Sequence, residues 1–158
     1  MLDLNAVIAD TIRLVGSDVL LRESVLTTEL EDNLPQTEAV PVQIQQVLLN
    51  LIMNALDAVE GRPSSERRIT ITTRSLTGDR VEVSVRDFGA GLPKDHPEKV
   101  FDHFFTTKQQ GMGMGLTIVR SIIESHAGKI SAENASDGGA RFFFTLPAAR
   151  IQPKKQAA

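Results

Sequence analysis

Gln46-Val47-Leu48-Leu49-Asn50-Leu51-Ile52-Met53-Asn54-Ala55-Leu56-Asp57, residues 46–57, is the middle of a longer periodic stretch. Ile44, Val47, Leu48, Leu51, Ile52, Ala55 and Leu56 recur every three or four residues, which predicts a helix from near Pro41 to about Val59. On that helix Asn50, Asn54 and Asp57 stand at i, i+4 and i+7, so all three share one face. Two amides on an otherwise apolar face are costly unless something bonds them. An Asn side-chain oxygen suits Mg²⁺, a hard ion that takes one or two protein oxygens together with waters and phosphates. Taken alone, the same pair serves equally well as satisfied surface amides.

Upstream, Leu4, Val7, Ile8, Ile12 and Val15 predict an amphipathic helix over about 5–21 with Asn5 as its N-cap. Residues 25–30 predict a strand, closed by Asn33-Leu34-Pro35. Downstream, 69–75 and 81–86 predict paired strands around the turn Thr77-Gly78-Asp79. The chain is then glycine-rich over 87–115, broken by a short helical patch around 97–104. A third long helix over 116–125 and two strands, about 129–133 and 140–146, complete the order α-β-α-β-β-α-β-β. That order predicts an α/β fold, a two-layer sandwich with the helices on one face of a mixed sheet. Residues 1–150 are expected to form one domain and 151–158 a disordered polar tail.

Two further clusters carry chemistry. Asp87-Phe88-Gly89-Ala90-Gly91 follows a strand of alternating valines. A carboxylate at a strand end, beside glycines that allow close backbone approach, accepts hydrogen bonds and so favours adenine's amino group over guanine's oxygen. Alone, a D-x-G-x-G string is also a plain turn. Gly111-Met112-Gly113-Met114-Gly115-Leu116 opens the third long helix, where exposed N–H groups and the helix dipole make an anion site. Its spacing is neither the dinucleotide fingerprint nor a P-loop, and alone it also reads as a flexible glycine loop. Thr106, Thr107 and Lys108 lie just upstream and add hydroxyl and ammonium donors.

Composition removes other classes. Of 158 residues, 41% are hydrophobic and 23% charged, which excludes a disordered or fibrous chain. The formal net charge of −3 gives no general attraction to nucleic acid or an acidic membrane surface. No cysteine means no disulfide, thiolate nucleophile or thiolate-bound metal. Asn50 and Asn54 break the longest apolar runs, so no membrane span is predicted, and the first residues carry no signal-peptide pattern. Tyr and Trp are absent while seven Phe cluster at 88, 101–105 and 142–144; they are expected to pack the scaffold behind a nucleotide pocket.

In this order, the 46–57 helix, the Asp87 loop, the Phe101-Asp102-His103-Phe104-Phe105 patch and the 111–116 glycine run closely resemble the N, G1, F and G2 boxes of sensor histidine kinases. These kinases share a superfamily with gyrase-type topoisomerases, Hsp90-type chaperones and MutL-type mismatch-repair ATPases. Asp137-Gly138-Gly139-Ala140 and Phe144-Thr145-Leu146-Pro147 resemble the closing strand of the kinase domain, so the likeness covers roughly residues 2–148. With only Gln109-Gln110 between the third and fourth motifs, the lid wording is most similar to the oxygen-sensing, PAS-linked class. The resemblance implies a Bergerat-type sandwich, with about five strands and three main helices on one face, binding ATP and Mg²⁺. It implies Asn54 as the Mg²⁺ ligand, Asn50 and Lys108 as catalytic groups, and Asp87 as the reader of adenine, with Gly89 and Gly91 letting the base lie against the backbone. Around the nucleotide it also puts Asp57, Phe105, Thr106, Thr107, Gly111, Met112, Gly113, Met114, Gly115 and Leu116.

ATP-hydrolysing relatives carry a water-activating Glu four residues before the Mg²⁺-binding Asn. Here that residue is Asn50, which is no base at neutral pH, so the resemblance implies transfer of the γ-phosphate rather than hydrolysis. None of His96, His103 or His126 stands in the H-E-[LI]-x-x-P pattern of a phosphoacceptor; His103 and His126 are expected to be structural or surface residues. The implied partners are therefore a separate phosphoacceptor and dimerisation domain and, indirectly, a response-regulator receiver domain. The domain by itself is expected to be a cytoplasmic monomer with no nucleic-acid or membrane contact. An ATP-hydrolysing clamp, a serine kinase that restrains sigma factors and a nucleotide-sensing module without catalysis are the competing readings. Val40, where relatives often carry Asp, and Ala140, where many carry Ser or Thr, are departures that would lower nucleotide affinity.

Overall fold

Burial of one helical stripe organises the chain. A computed structural model describes residues 1–102 and 115–150. Its helices are α1 (Leu4–Leu21), α2 (Pro41–Val59) and α3 (Gly115–Ser125), and its strands are β1 (Val25–Leu30), β2 (Arg68–Leu76), β3 (Arg80–Asp87), β4 (Lys129–Asn134) and β5 (Ala140–Pro147). Two 3₁₀ turns, Ser64–Glu66 and Pro97–Phe101, complete the described elements. The strands form one sheet in the order β1-β2-β3-β5-β4. Only β1 runs parallel to its neighbour, with Val25 opposite Arg68; the other pairings are antiparallel, so the sheet is mixed as expected. No described helix is long and apolar enough to cross a membrane.

The core lies between the sheet and the three helices. On α2 it takes Ile44, Val47, Leu48, Leu51, Ile52, Ala55, Leu56 and Val59, each buried. At roughly 1.5–3 kcal/mol per large apolar side chain, this stripe outweighs the weak intrinsic propensities of a helix with several β-branched residues. Across from it stand Ile69 and Ile71 of β2, Val81, Val83 and Val85 of β3, and Phe142, Phe144 and Leu146 of β5. Strand side chains alternate, so Arg68, Thr70, Thr72 and Arg74, with Ser84, Arg86 and Arg141, face away from the helices onto a groove of about 720 Å³.

Two local expectations are corrected. Asp3, not Asn5, is the N-cap of α1: its carboxylate accepts the Ala6 N–H at 3.2 Å. Asn5 instead donates to the Glu31 carbonyl at 3.0 Å and accepts from the Thr73 hydroxyl at 3.0 Å, tying α1 to β2 and to the end of β1. Nor do all the phenylalanines pack behind one pocket. Phe101 and Phe142 meet edge to face in the core with centroids 6.1 Å apart, and Phe144 is fully buried. Phe88 and Phe143 lie on the open sheet face, because strand alternation sends every second residue there, and arginine guanidinium groups cover their rings.

The start of α2 is held from outside the helix. Val40 is its N-cap and offers no side-chain acceptor, while Pro41 occupies the first turn. The Val40 N–H donates to His126 Nε2 at 3.1 Å, and His126 Nδ1 donates to the Ile122 carbonyl at 2.8 Å. His126 is thus the structural residue expected, joining the end of α3 to the start of α2. Val40→Asp would add the missing acceptor where the helix dipole favours negative charge, and Val40 is exposed, so little packing is lost. The variant should be more stable by about 1 kcal/mol, seen as a higher urea midpoint with an unchanged m-value.

Candidate functional site

The phase of β3 delivers the central group. Val81, Val83 and Val85 point into the helix layer, and the two-residue period carries Asp87 to the same side, where it is 2% exposed. Asp87 Oδ1 accepts the Gly89 N–H at 2.8 Å and the Ala140 N–H at 3.3 Å. Its second oxygen makes no hydrogen bond within the described residues. Burial pushes the Asp87 carboxyl above the ordinary range, and the two N–H donors and the Arg86 charge hold the rise in check. Phe88 faces the other way, with the guanidinium carbons of Arg68 and Arg86 each 4.3 Å from its ring centre, which anchors the loop from the open side of the sheet.

Glycine brings this loop onto α2. A Cβ at Gly89 would lie 2.4 Å from the Ala58 carbonyl oxygen, a distance no side chain tolerates against a helix backbone. Gly91 has φ +85°, and a Cβ there would fall 2.7 Å from Asn134 Oδ1. Close packing on the Ala58 backbone therefore requires glycine at 89, and the left-handed conformation favours it at 91, independently of any bound base.

At the other end of α2's polar face stands α3. A Cβ at Gly115, the first residue of α3, would lie 3.8 Å from Asn50 Oδ1, so the positive end of the α3 dipole comes up to the Asn50 amide oxygen. From Asn50 to Ala58 is eight residues, about 12 Å along the helix. Asn54 lies between them, half-buried, and Leu116 is partly buried against the core. Asp57 closes the row by pairing with Arg22 at 2.6 Å; this hydrogen bond holds Arg22's pKa above its ordinary value and ties the end of α1 to α2.

The structure thus sets Asn50, Asn54 and Asp57 on one face of α2, with Gly115 beside Asn50 and the loop that follows Asp87 packed through Gly89 against Ala58. Gly91 lies farther along that loop against Asn134 and Gly139, and Leu116 packs against the core. Phe105, Thr106, Thr107, Lys108, Gly111, Met112, Gly113 and Met114 lie outside the described residues, as does His103. Among the described residues no cluster of three His, Cys, Asp or Glu side chains could hold a metal. Asn50 and Asn54 carry amide oxygens, a donor type that fits an ion completed by water and phosphate oxygens. Sequence reasoning missed the Ala140 N–H on Asp87, the Asn134 contact with the Gly91 loop and the Arg22–Asp57 pair. Each joins residues far apart in the chain, and no local pattern marks them.

With that geometry, comparison with known proteins is direct. The family model described as histidine kinase-, DNA gyrase B-, and HSP90-like ATPase matches residues 39–150. The sensor protein FixL of Bradyrhizobium diazoefficiens is 51% identical over 108 residues, covering 68% of this chain and 21% of that protein. The sensor histidine kinase ZraS of Klebsiella oxytoca is 40% identical over 154 residues, 98% of this chain and 32% of that protein. The chain therefore spans a third or less of the length of these curated relatives. Among solved structures, the catalytic domain of histidine kinase ThkA superposes with a TM-score of 0.81 at 35% identity, covering 93% of each chain.

Two outcomes test the geometry. Because the folded Asp87 carboxyl binds its proton more readily than the unfolded one, its contribution to stability is complete below the ordinary Asp range and is lost as pH rises through the elevated folded value. Asp87→Asn should therefore raise the urea midpoint at pH 7 and flatten its dependence on pH in the acidic range. Gly89→Ala should lower stability by roughly 1–3 kcal/mol at every pH, since the loop must back away from Ala58.

Proposed function

The chain belongs to the histidine kinase-, DNA gyrase B-, and HSP90-like ATPase family, and within it we propose that it is the ATP-binding catalytic domain of a sensor histidine kinase. It holds Mg-ATP and presents the γ-phosphate to a histidine on a separate phosphoacceptor domain. The observation that carries this reading is the side of α2, which gathers a buried, half-satisfied carboxylate at one end and a helix N-terminus at the other. The first suits an exocyclic amine and the second a phosphate.

In this reading the open oxygen of Asp87 accepts the adenine amino group while Oδ1 stays with Gly89 and Ala140. The base lies at the Gly89 end and the triphosphate runs along α2 towards Asn50 and Gly115. Bound Mg²⁺ would neutralise phosphate charge, and Asn54, with Asn50 beside it, would supply the protein oxygens for it. Lys108, with Thr106, Thr107 and the 111–115 glycines, would donate to the phosphates. The imidazole nitrogen of the incoming histidine forms the new N–P bond as the bridging O–P bond breaks, and ADP leaves with the electron pair. Such transfer depends on positioning and charge neutralisation, so the domain needs no base of its own. The group facing the first turn of α3 is the Asn50 amide, which does not activate water, and this supports transfer over hydrolysis.

The test mixes the chain with γ-labelled ATP, Mg²⁺ and a phosphoacceptor domain carrying its histidine. Label should reach that domain as an acid-labile, base-stable phosphate, with negligible phosphate release from the chain alone. Steady phosphate release without an acceptor would favour an ATP-hydrolysing clamp, and an acid-stable product a serine kinase. Calorimetry should show ATP binding that Asp87→Asn weakens at least tenfold, the scale of a lost charged hydrogen bond.

A further inference from the structure

The β4–β5 hairpin holds the Asp87 loop at both ends. At the near end, the Ala140 N–H donates to Asp87 Oδ1 at 3.3 Å. A Cβ on Gly139 would lie 2.0 Å from the Asp87 carbonyl oxygen, so the hairpin backbone is pressed onto the loop. Arg86 adds a tie from β3 to Asp137. At the far end, Asn134 takes both backbone groups of one residue: its Oδ1 accepts the Leu92 N–H at 2.7 Å and its Nδ2 donates to the Leu92 carbonyl at 3.2 Å. This is the pairing a neighbouring strand would make, supplied by one side chain at the last residue of β4. The same Oδ1 stands against Gly91.

We propose that Asn134 is a positioning residue for Asp87, closing the 87–92 loop as a clasp so that the open carboxylate oxygen keeps a fixed direction beside α2. The proposal rests on the reading of Asp87 as the reader of adenine. Asn134 is exposed and makes its bonds at the surface, so water can replace them and the core does not depend on them. The loop loses its far tie, however, and Gly91 regains conformational freedom. An ordering contact of this kind shows in ligand affinity and selectivity more than in global stability.

The experiment compares wild type, Asn134→Ala and Asn134→Ser, with Ser136→Ala in the same hairpin as a control. ATP and GTP affinities are measured by calorimetry, unfolding by urea, and amide exchange by NMR. Asn134→Ala should bind ATP about three- to tenfold more weakly and discriminate less well between ATP and GTP. The Leu92 and Gly89 amides should exchange faster while the urea midpoint stays near that of wild type. Asn134→Ser, which keeps one short polar group, should recover part of the affinity, and Ser136→Ala should match wild type throughout. An Asn134→Ala protein with unchanged ATP affinity and ATP/GTP ratio would overturn the clasp while leaving the nucleotide reading intact. A wild-type chain that binds no ATP would overturn the reading itself, and the clasp with it.

Discussion

Burying Ile44, Val47, Leu48, Leu51, Ile52, Ala55, Leu56 and Val59 against the sheet sets the rotation of α2 about its own axis, and the candidate site follows from that rotation. Once those residues face β2, β3 and β5, Asn50, Asn54 and Asp57 have only one direction left to them. They line the flank that receives the Asp87 loop at Ala58 and the start of α3 at Asn50. A turn of α2 by a single residue, about 100°, would bury the amides and expose part of the Leu, Ile and Val stripe, at a cost of several kcal/mol on both counts.

Against this stable scaffold, the Asp87 end of the site carries the cost of a buried carboxylate. A carboxylate stands 2% exposed with one oxygen making no hydrogen bond among the described residues, a glycine backbone lies close against a helix carbonyl, and Gly91 sits in the left-handed region. Burial of the carboxylate lowers stability, whereas the two glycines let the loop pack closely without strain; the arrangement is held by Phe88 between two guanidinium groups, by the Gly139 backbone against Asp87 and by the paired bonds of Asn134. A pre-organised polar group aimed at a ligand accepts its partner without further rearrangement, which is where the cost of burying the carboxylate is recovered.

Much of this was legible beforehand, and for identifiable reasons. The 3.6-residue period of α2 and the alternation of Val81, Val83 and Val85 are strong signals because each buries a continuous face. The same alternation aims Asp87 inward. The Asn5 and Asp3 exchange at the start of α1 was not legible, since both residues cap helices well and only the distant Glu31 and Thr73 claim Asn5. Phe88 and Phe143 misled by hydrophobicity alone: strand parity sends them to the open face, where arginines cover them.

The sequence by itself determined the elements, their order, the polar face of α2 and the family to which four ordered motifs belong. The elements and the polar face are written in short-range period and spacing, and the family in the resemblance of the ordered motifs. The tertiary structure decided what meets what: His126 with Val40, Arg22 with Asp57, Ala140 and Asn134 with the two ends of the Asp87 loop. Those pairs are 35 to 86 residues apart in the chain. Local propensity carries no information across such separations; only the closure of one core, with its single permitted helix rotation and strand register, brings them within hydrogen-bond distance.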